Sequence, residues 1–190
     1  MVAKFYKNQI QHHLLSNFKQ HMELEPELLN HAARVGNLDV LKELIKGKAD
    51  LNVHDPKGRT PLIIACYNHQ IEAAKLLIAH GADVNAVDED GNTALMGAAF
   101  KGYADIIELL IENGANMDTQ HGTGGTALMF AVMFGRNDIV KLLIMQGADT
   151  MICDSRGLRA ADLAAQQGNE EALEMLQSWS MLRCLKIQIG

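Results

Sequence analysis

The segment Asp88-Glu-Asp-Gly91-Asn-Thr93-Ala-Leu95 decides the fold, because related segments stand 33 residues before it and 33 residues after it. The earlier copy is Asp55-Pro-Lys-Gly58-Arg-Thr60-Pro-Leu62, and later copies begin at His121 and Asp154. A second segment, Gly114-Ala-Asn116, recurs with the same step and closes each unit. A constant step without insertions indicates a tandem array of one structural unit.

Each unit carries the signals of two short antiparallel helices between these segments. In the unit that begins at Asp88, Thr93 is a residue type that caps helix N-termini, and the small residues after it let a neighbouring helix approach closely. Gly102 ends that helix. Apolar residues at i, i+3 and i+4 spacing then fill residues 105–111, and Gly114 ends the second helix. The sequence therefore predicts an all-α chain whose unit is turn, helix, turn and helix.

The repeated residues resemble the ankyrin family, whose unit reads approximately D-x-x-G-x-T-P-L-H-x-A-A-x-x-G-H, followed by an amphipathic helix and G-A-D-V-N-A. The resemblance covers about residues 24–180 and implies an ankyrin-repeat solenoid of five stacked helix-turn-helix units with short β-hairpin-like loops. Lys48 at a glycine position and Arg159 at the threonine position mark the outer units as caps. The predicted units are 24–54, 55–87, 88–120, 121–153 and 154–180.

Both ends of the chain carry apolar residues outside the repeats. Every fourth residue from Ile10 to Met22 is apolar, which predicts an N-terminal capping helix within a helical extension at residues 1–23. The alternative is a short helix that binds a partner. The C-terminal tail, residues 181–190, is also largely apolar, and it either closes the core of the last unit or adds a strand to a partner.

The sequence departs from the family motif at positions that bear on stability. The threonine-proline pair survives only as Thr60-Pro61, and apolar residues replace the motif histidine at Ile63, Met96 and Met129. We therefore expect apolar packing to substitute for any hydrogen bonds that this histidine supplies. His69 stands where other units have a glycine between the two helices, and a left-handed backbone there would strain it.

Charge and composition argue against several classes of partner. Five of the 17 bases lie in residues 1–22 and 177–190, and these two segments contain no acid. Residues 23–176 therefore hold 12 bases and all 23 acids, which gives them a net charge of −11. Such a chain repels a phosphate backbone, so we expect no nucleic-acid partner. No apolar run approaches the ~20 residues that cross a bilayer, and the first residues lack the apolar core of a secretory signal. We therefore expect a cytoplasmic monomer with no membrane partner.

Motifs for catalysis and metal binding are weak. The histidines lack metalloprotease spacing, and the glycine-rich segment 121–126 lacks the lysine and the buried strand of a phosphate-binding loop. Segment 83–90 has the composition of a calcium loop, but Val87 occupies a ligand position. Each second helix has an acid, such as Asp105, in its first turn. A carboxylate at that position stabilises the helix dipole, and we favour this role over a cation site. The three cysteines lack zinc or disulfide spacing. We expect no enzyme activity, cofactor or metal.

Large side chains recur at the ends of the first helices. In a solenoid, equivalent positions of successive units line up on one open face, and function lies where the units differ. Tyr67, Phe100 and Met133 have the composition of a binding hot spot; the alternative is that they cover the adjacent helix. The family resemblance also assigns binding to the hairpin tips. The predicted partner-binding residues are Arg34, Val35, Lys57, Arg59, Tyr67, Asn68, Glu89, Asp90, Asn92, Phe100, Lys101, Met133 and Phe134.

These patterns predict a protein-protein interaction module, an adaptor or scaffold, that binds another protein through its concave face and hairpin tips. One alternative is a regulatory or inhibitory subunit that occludes its partner. The Thr-Ala-Leu-Met form of the motif is similar to that of many bacterial ankyrin proteins. An effector delivered from a bacterium into a host is therefore the alternative to a protein of the cytoplasm.

Overall fold

The computed structural model describes residues 25–187, and it describes side chains as far as residue 179. The N-terminal extension predicted at residues 1–23, with its capping helix, lies outside the described residues. Helices account for nearly all of the regular structure between these limits. Named in chain order, they are α1 (25–35), α2 (Leu38–Lys46), α3 (Pro61–Tyr67), α4 (Ile71–Ala79), α5 (Ala94–Lys101), α6 (Ala104–Glu112), α7 (Ala127–Met133), α8 (Asn137–Met145), α9 (Ala160–Gln167) and α10 (Glu170–Ile187).

The helices form a row of stacked pairs. The first helices of neighbouring units pack side by side, α3 against α5, α5 against α7 and α7 against α9, and each packs on the helix that follows it. Ala65, Ala98 and Ala131 are fully buried, and their small side chains allow this close approach. The predicted all-α solenoid of helix pairs is confirmed. Within the described chain, strand-like pairing is limited to one isolated bridge between Val87 and Thr93.

Buried hydroxyl groups cap three of the first helices. Thr60, Thr93 and Thr126 each accept a hydrogen bond from the backbone N–H three residues later, at 3.3, 3.2 and 3.4 Å. Arg159 occupies this position in the last unit, and its own N–H instead donates to Oδ2 of Asp162 at 2.9 Å. The carboxylate of Asp162 thus satisfies a backbone N–H at the N-terminus of α9, but a different one from the N–H that threonine satisfies in the other units.

A left-handed residue joins the two helices of each unit. Glycine fills this position in four units, with positive φ in all four, and His69 fills it in the second unit with a φ of 57°. Lys48, which follows α2 where later units have glycine, has a φ of 65°. Left-handed backbone costs a residue with a β-carbon on the order of 1 kcal/mol, so the strain expected at His69 is present.

The His69 side chain makes contacts that a glycine cannot make. Its ring stacks on the ring of Tyr103, with 4.0 Å between the centroids and 13° between the planes. Its Nε2 atom lies 3.0 Å from each carboxylate oxygen of Asp105, in the next unit. These contacts join the second and third units and offset part of the backbone strain.

Backbone hydrogen bonds join the hairpin tips of successive units. The N–H of Glu89 donates to the carbonyl of Lys57 at 3.2 Å, and the N–H of Gly122 donates to the carbonyl of Asp90 at 2.8 Å. A similar bond joins the fourth and fifth units. Each tip is therefore held by its neighbour as well as by its own turn.

A second row of hydrogen bonds joins the loops that follow the second helices. Oδ1 of Asn52 accepts from the N–H of Asp83 at 2.8 Å, and Oδ1 of Asn85 accepts from the N–H of Asn116 at 2.7 Å. The apolar residues at the motif histidine positions are buried in the core, as expected. The tips and this row thus add polar links between units to the contact of His69 with Asp105.

The last helix extends beyond the predicted repeat domain. Residues 181–187, which the sequence suggested as a separate tail, continue α10 to Ile187. No glycine or proline occurs between Gly168 and Gly190, so no residue in this stretch stops the helix.

Candidate functional site

A groove of about 530 Å³ lies between the hairpin tips of the second and third units and the helices α3 and α5. We call it the central groove. It opens on the surface that carries the ends of the first helices. The predicted binding residues that line it are Lys57, Arg59, Tyr67, Asn68, Glu89, Asp90, Asn92 and Phe100.

Three aromatic rings, those of Tyr67, Phe100 and Phe134, follow one another along the ends of the first helices. We call them the aromatic ladder. The rings of Tyr67 and Phe100 lie within 8° of parallel with centroids 6.2 Å apart, and the ring of Phe134 meets Phe100 edge-on at 4.4 Å. Tyr67 and Phe134 are 41% and 45% exposed, whereas Phe100 between them is partly buried. The ladder is therefore a continuous apolar surface that water reaches.

The third member of the ladder differs from the sequence prediction. Met133 was expected to follow Tyr67 and Phe100, but the ring contact with Phe100 comes from its neighbour Phe134. Phe134 is the C-cap residue of α7, and its ring reaches Phe100 of the preceding unit. Met133 is 41% exposed and lines a second groove instead.

The second groove, of about 340 Å³, lies between the tips of the fourth and fifth units and shares Phe130 with the central groove. The ring of His121 meets Phe130 edge-on at 5.0 Å. Arg156 pairs with Asp154 at 2.8 Å on the rim. The hydrogen bond from the Leu158 N–H lowers the pKa of the Asp154 carboxyl, and those from Arg156 lower it further against the effect of burial.

A lysine lies over the ladder. Lys101 ends α5, and its Nζ atom stands 4.4 Å from the ring centroid of Tyr67 and 5.4 Å from that of Phe100. An ammonium group at this distance is attracted by the negative face of an aromatic ring. The aromatic ladder therefore already holds one cation from its own chain.

Some charged side chains on the rim of the central groove are paired within the protein and others are not. Arg59 donates from its guanidinium to Oδ2 of Asp55 at 2.6 and 2.9 Å, so its charge is neutralised within its own turn. Burial by itself raises the pKa of Asp55, but the hydrogen bonds and the charge of Arg59 outweigh it and lower that pKa. Among the described residues, the side chains of Lys57, Glu89 and Asp90 have no ion-pair partner.

Sequence reasoning did not identify Gly97, which lies at the floor of the central groove. The equivalent positions hold Ile64 in α3 and Phe130 in α7, and both also line the groove. A glycine inside a helix costs about 0.5–1 kcal/mol relative to alanine. A glycine in the middle of a predicted helix is unfavourable, and this could have drawn attention to position 97 in the sequence. Its missing side chain leaves the space between its two larger neighbours open.

Asp88 is a further groove residue outside the predicted set. Its Oδ1 atom accepts hydrogen bonds from the N–H groups of Asp90 and Asn92, at 3.0 and 2.8 Å. The side-chain amide of Asn92 also donates to it. Asp88 therefore positions the tip that carries Glu89 and Asp90. Asp88 is the first residue of the repeated turn motif, and this recurrence was the signal in the sequence that could have identified it.

Two predicted residues lie apart from this site. Arg34 and Val35 are exposed at the end of α1, in the first unit, and line neither groove. Among the side chains that the structure describes, residues 25–179, no group of three or more histidine, cysteine, aspartate or glutamate residues is placed to hold a metal ion. No helix within residues 25–187 is both long enough and apolar enough to cross a membrane.

The repeats were also compared with known proteins. A family model described as ankyrin repeats (3 copies) matches residues 29–121 and 113–181. The two matches together cover most of the chain, and they include the central groove and the aromatic ladder. The comparison with curated proteins found no match.

Proposed function

Because the chain belongs to the ankyrin-repeat family, we propose that it binds a partner protein through the central groove and the aromatic ladder. Ankyrin repeats are generally protein-protein interaction modules and are typically not enzymes. The proposal therefore assigns a binding role to this chain. The cellular compartment, the monomeric state and a bacterial origin stay predictions from the sequence.

The exposed aromatic ladder is the observation that carries the proposal. Tyr67 and Phe134 keep about two fifths of their surface in water, and they are joined through Phe100 rather than scattered. Single exposed apolar residues are common, but a contiguous patch on a folded protein marks an interaction site. Tyrosine and phenylalanine also carry much of the binding free energy in interfaces, since they bury a large area with few rotatable bonds.

The surroundings of the ladder have the arrangement of a protein interface. The apolar rings lie near the centre, and charged side chains of the hairpin tips, including Lys57 and Glu89, form the rim. Interfaces commonly combine an apolar centre with a polar, solvated rim. The hydrogen bonds between tips hold this rim in place before a partner arrives, which reduces the entropy lost on binding.

Affinity capture with matched variants tests the proposal. The wild-type protein and the ladder variant Phe100→Ala plus Phe134→Ala are used as baits in extracts of the native cell. A control variant, Met145→Ala plus Met151→Ala, removes two exposed apolar side chains that lie outside both grooves. Circular dichroism and thermal unfolding first establish that both variants are folded.

We expect the wild type and the control to retain the same partner and the ladder variant to lose most of it. Loss of an interface aromatic commonly costs about 2 kcal/mol or more, which lowers affinity by more than about tenfold. Equal capture by a folded ladder variant would remove the central groove and the ladder from the proposal. An activity assay of the recovered partner, with and without this protein, then separates an adaptor from an inhibitory subunit.

A further inference from the structure

We propose that the central groove receives an arginine side chain from a basic segment of the partner. This inference rests on the proposed function and adds the chemical class of the residue that the groove recognises. It is supported by the charge of the rim, by the aromatic ladder and by the open floor at Gly97.

The rim of the central groove has an excess of negative charge. Three carboxylates, those of Asp88, Glu89 and Asp90, line the groove. Two bases also line it, but the charge of Arg59 is neutralised by Asp55. Lys57, and Lys101 over the Tyr67 ring, are then the two bases near the groove that have no ion-pair partner among the described residues, and the three carboxylates outnumber them. The groove therefore presents a net negative rim to an incoming side chain.

Two of these carboxylates are available to a partner. Asp88 is engaged by the backbone and side chain of Asn92. Glu89 and Asp90 are exposed, and within the described part of the chain neither side chain has a hydrogen-bond or ion-pair partner. A guanidinium binds carboxylates through paired, charge-assisted hydrogen bonds, which are stronger than bonds between neutral groups.

The aromatic ladder favours the same occupant. The Nζ atom of Lys101 lies over Tyr67, so this ring face attracts a cation in the folded protein, and a partner's guanidinium stacks there by displacing the lysine side chain. A guanidinium is planar and more weakly hydrated than an ammonium, and it stacks on aromatic faces more readily. Arginine therefore matches both the rings and the acidic rim, whereas an aliphatic side chain matches only the rings.

The floor of the groove gives this side chain a place to lie. Gly97 stands between Ile64 and Phe130, and a β-carbon placed on it would lie 3.4 Å from the nearest atom of Tyr67. A larger residue at position 97 would occupy the space beside the Tyr67 ring. The chain between its basic ends also has a net charge of −11, which attracts a basic segment over longer distances.

Three labelled peptides test the inference directly. They share serine and glycine flanks and differ only in a central run of arginine, lysine or glutamine. Fluorescence anisotropy measures their binding to the full chain at low and at physiological salt. The protein variants are Glu89→Gln plus Asp90→Asn, the control Glu108→Gln plus Glu112→Gln with the same change of net charge on α6, and Gly97→Leu.

We expect the arginine peptide to bind best, the lysine peptide less tightly and the glutamine peptide at least ~10-fold more weakly than the arginine peptide. The Glu89 and Asp90 variant should lose about tenfold in affinity for the arginine peptide, and the α6 control should stay within about twofold of the wild type. Gly97→Leu, with an unchanged circular dichroism spectrum, should lose binding as well. If Gly97→Leu does not fold, the two charge variants decide the result.

Equal binding of the arginine and glutamine peptides would overturn the inference, and so would an equal loss in both charge variants. Unchanged binding by folded Gly97→Leu would show that the arginine side chain does not lie in the space beside Gly97. None of these results bears on the proposed function, which is decided by capture with the Phe100 and Phe134 variant. That capture can succeed with a partner whose contact segment is not basic, in which case only the arginine assignment fails.

Discussion

The ring of Tyr67 lies within 8° of parallel to the ring of Phe100, with 6.2 Å between the ring centroids, although 33 residues separate them in sequence. Each ring comes from the end of a first helix, so the repeat itself brings equivalent positions into register. The binding surface is therefore a consequence of stacking. Any change in how two units stack also changes the spacing of the rings.

The two rings should be energetically coupled. A double-mutant cycle with Tyr67→Ala and Phe100→Ala, measured by urea unfolding, should give a coupling free energy of about 0.5–1 kcal/mol, as aromatic pairs do. The same cycle between Tyr67 and Met145, which is exposed on α8 and lines neither groove, should be additive. Additivity in both cycles would show that Tyr67 and Phe100 do not interact in solution.

The contact between hairpin tips can be tested with two glycines. Gly58 and Gly157 have similar φ values of 72° and 78°, but a β-carbon on Gly58 would lie 2.6 Å from the backbone nitrogen of Glu89, while one on Gly157 meets nothing within 4 Å. Alanine at either site costs on the order of 1 kcal/mol for its left-handed backbone. Gly58→Ala should cost roughly 1–2 kcal/mol more, because the bond between the tips must break. Equal losses of unfolding free energy would contradict the observed packing of the tips.

His69 should respond differently to alanine and to glycine. Both substitutions remove the stack on Tyr103 and the contact with Asp105, so both should destabilise the protein. Alanine keeps the strain of a φ of 57°, whereas glycine adopts it freely. His69→Ala should therefore be less stable than His69→Gly by on the order of 1 kcal/mol in urea unfolding. The reverse order would mean that the backbone relaxes from the left-handed region.

Two hairpin tips should contribute to acid unfolding. The pKa of Asp55 and the pKa of Asp154 lie below their ordinary value of 3.8, so the folded protein binds fewer protons than the unfolded chain near that pH. Their contribution to stability is complete above pH 3.8 and is lost as the pH falls through the folded-state values. The variant Asp55→Asn plus Asp154→Asn should lose less unfolding free energy than the wild type on acidification. Parallel acid-unfolding curves would refute this.

Repeated features could be predicted from the sequence and isolated ones could not. Thr93 caps its helix and Gly102 ends it, as expected, because each role is local and recurs in other units. The pairing of Arg59 with Asp55 depends on side-chain directions in a turn, which spacing alone does not give. The same limit explains why Phe134 rather than Met133 meets Phe100. At the end of a helix, the direction of a side chain is set by the cap and by the neighbouring unit.

Site-specific photocrosslinking tests the central claim most directly. A photoreactive phenylalanine analogue placed at Tyr67 would lie in the central groove, and the same residue at Met145, which is 67% exposed on α8, would lie outside it. We predict that the partner recovered by affinity capture crosslinks to position 67 and not to position 145. Crosslinking at position 145 with none at position 67 would contradict the assignment of the partner to the aromatic ladder.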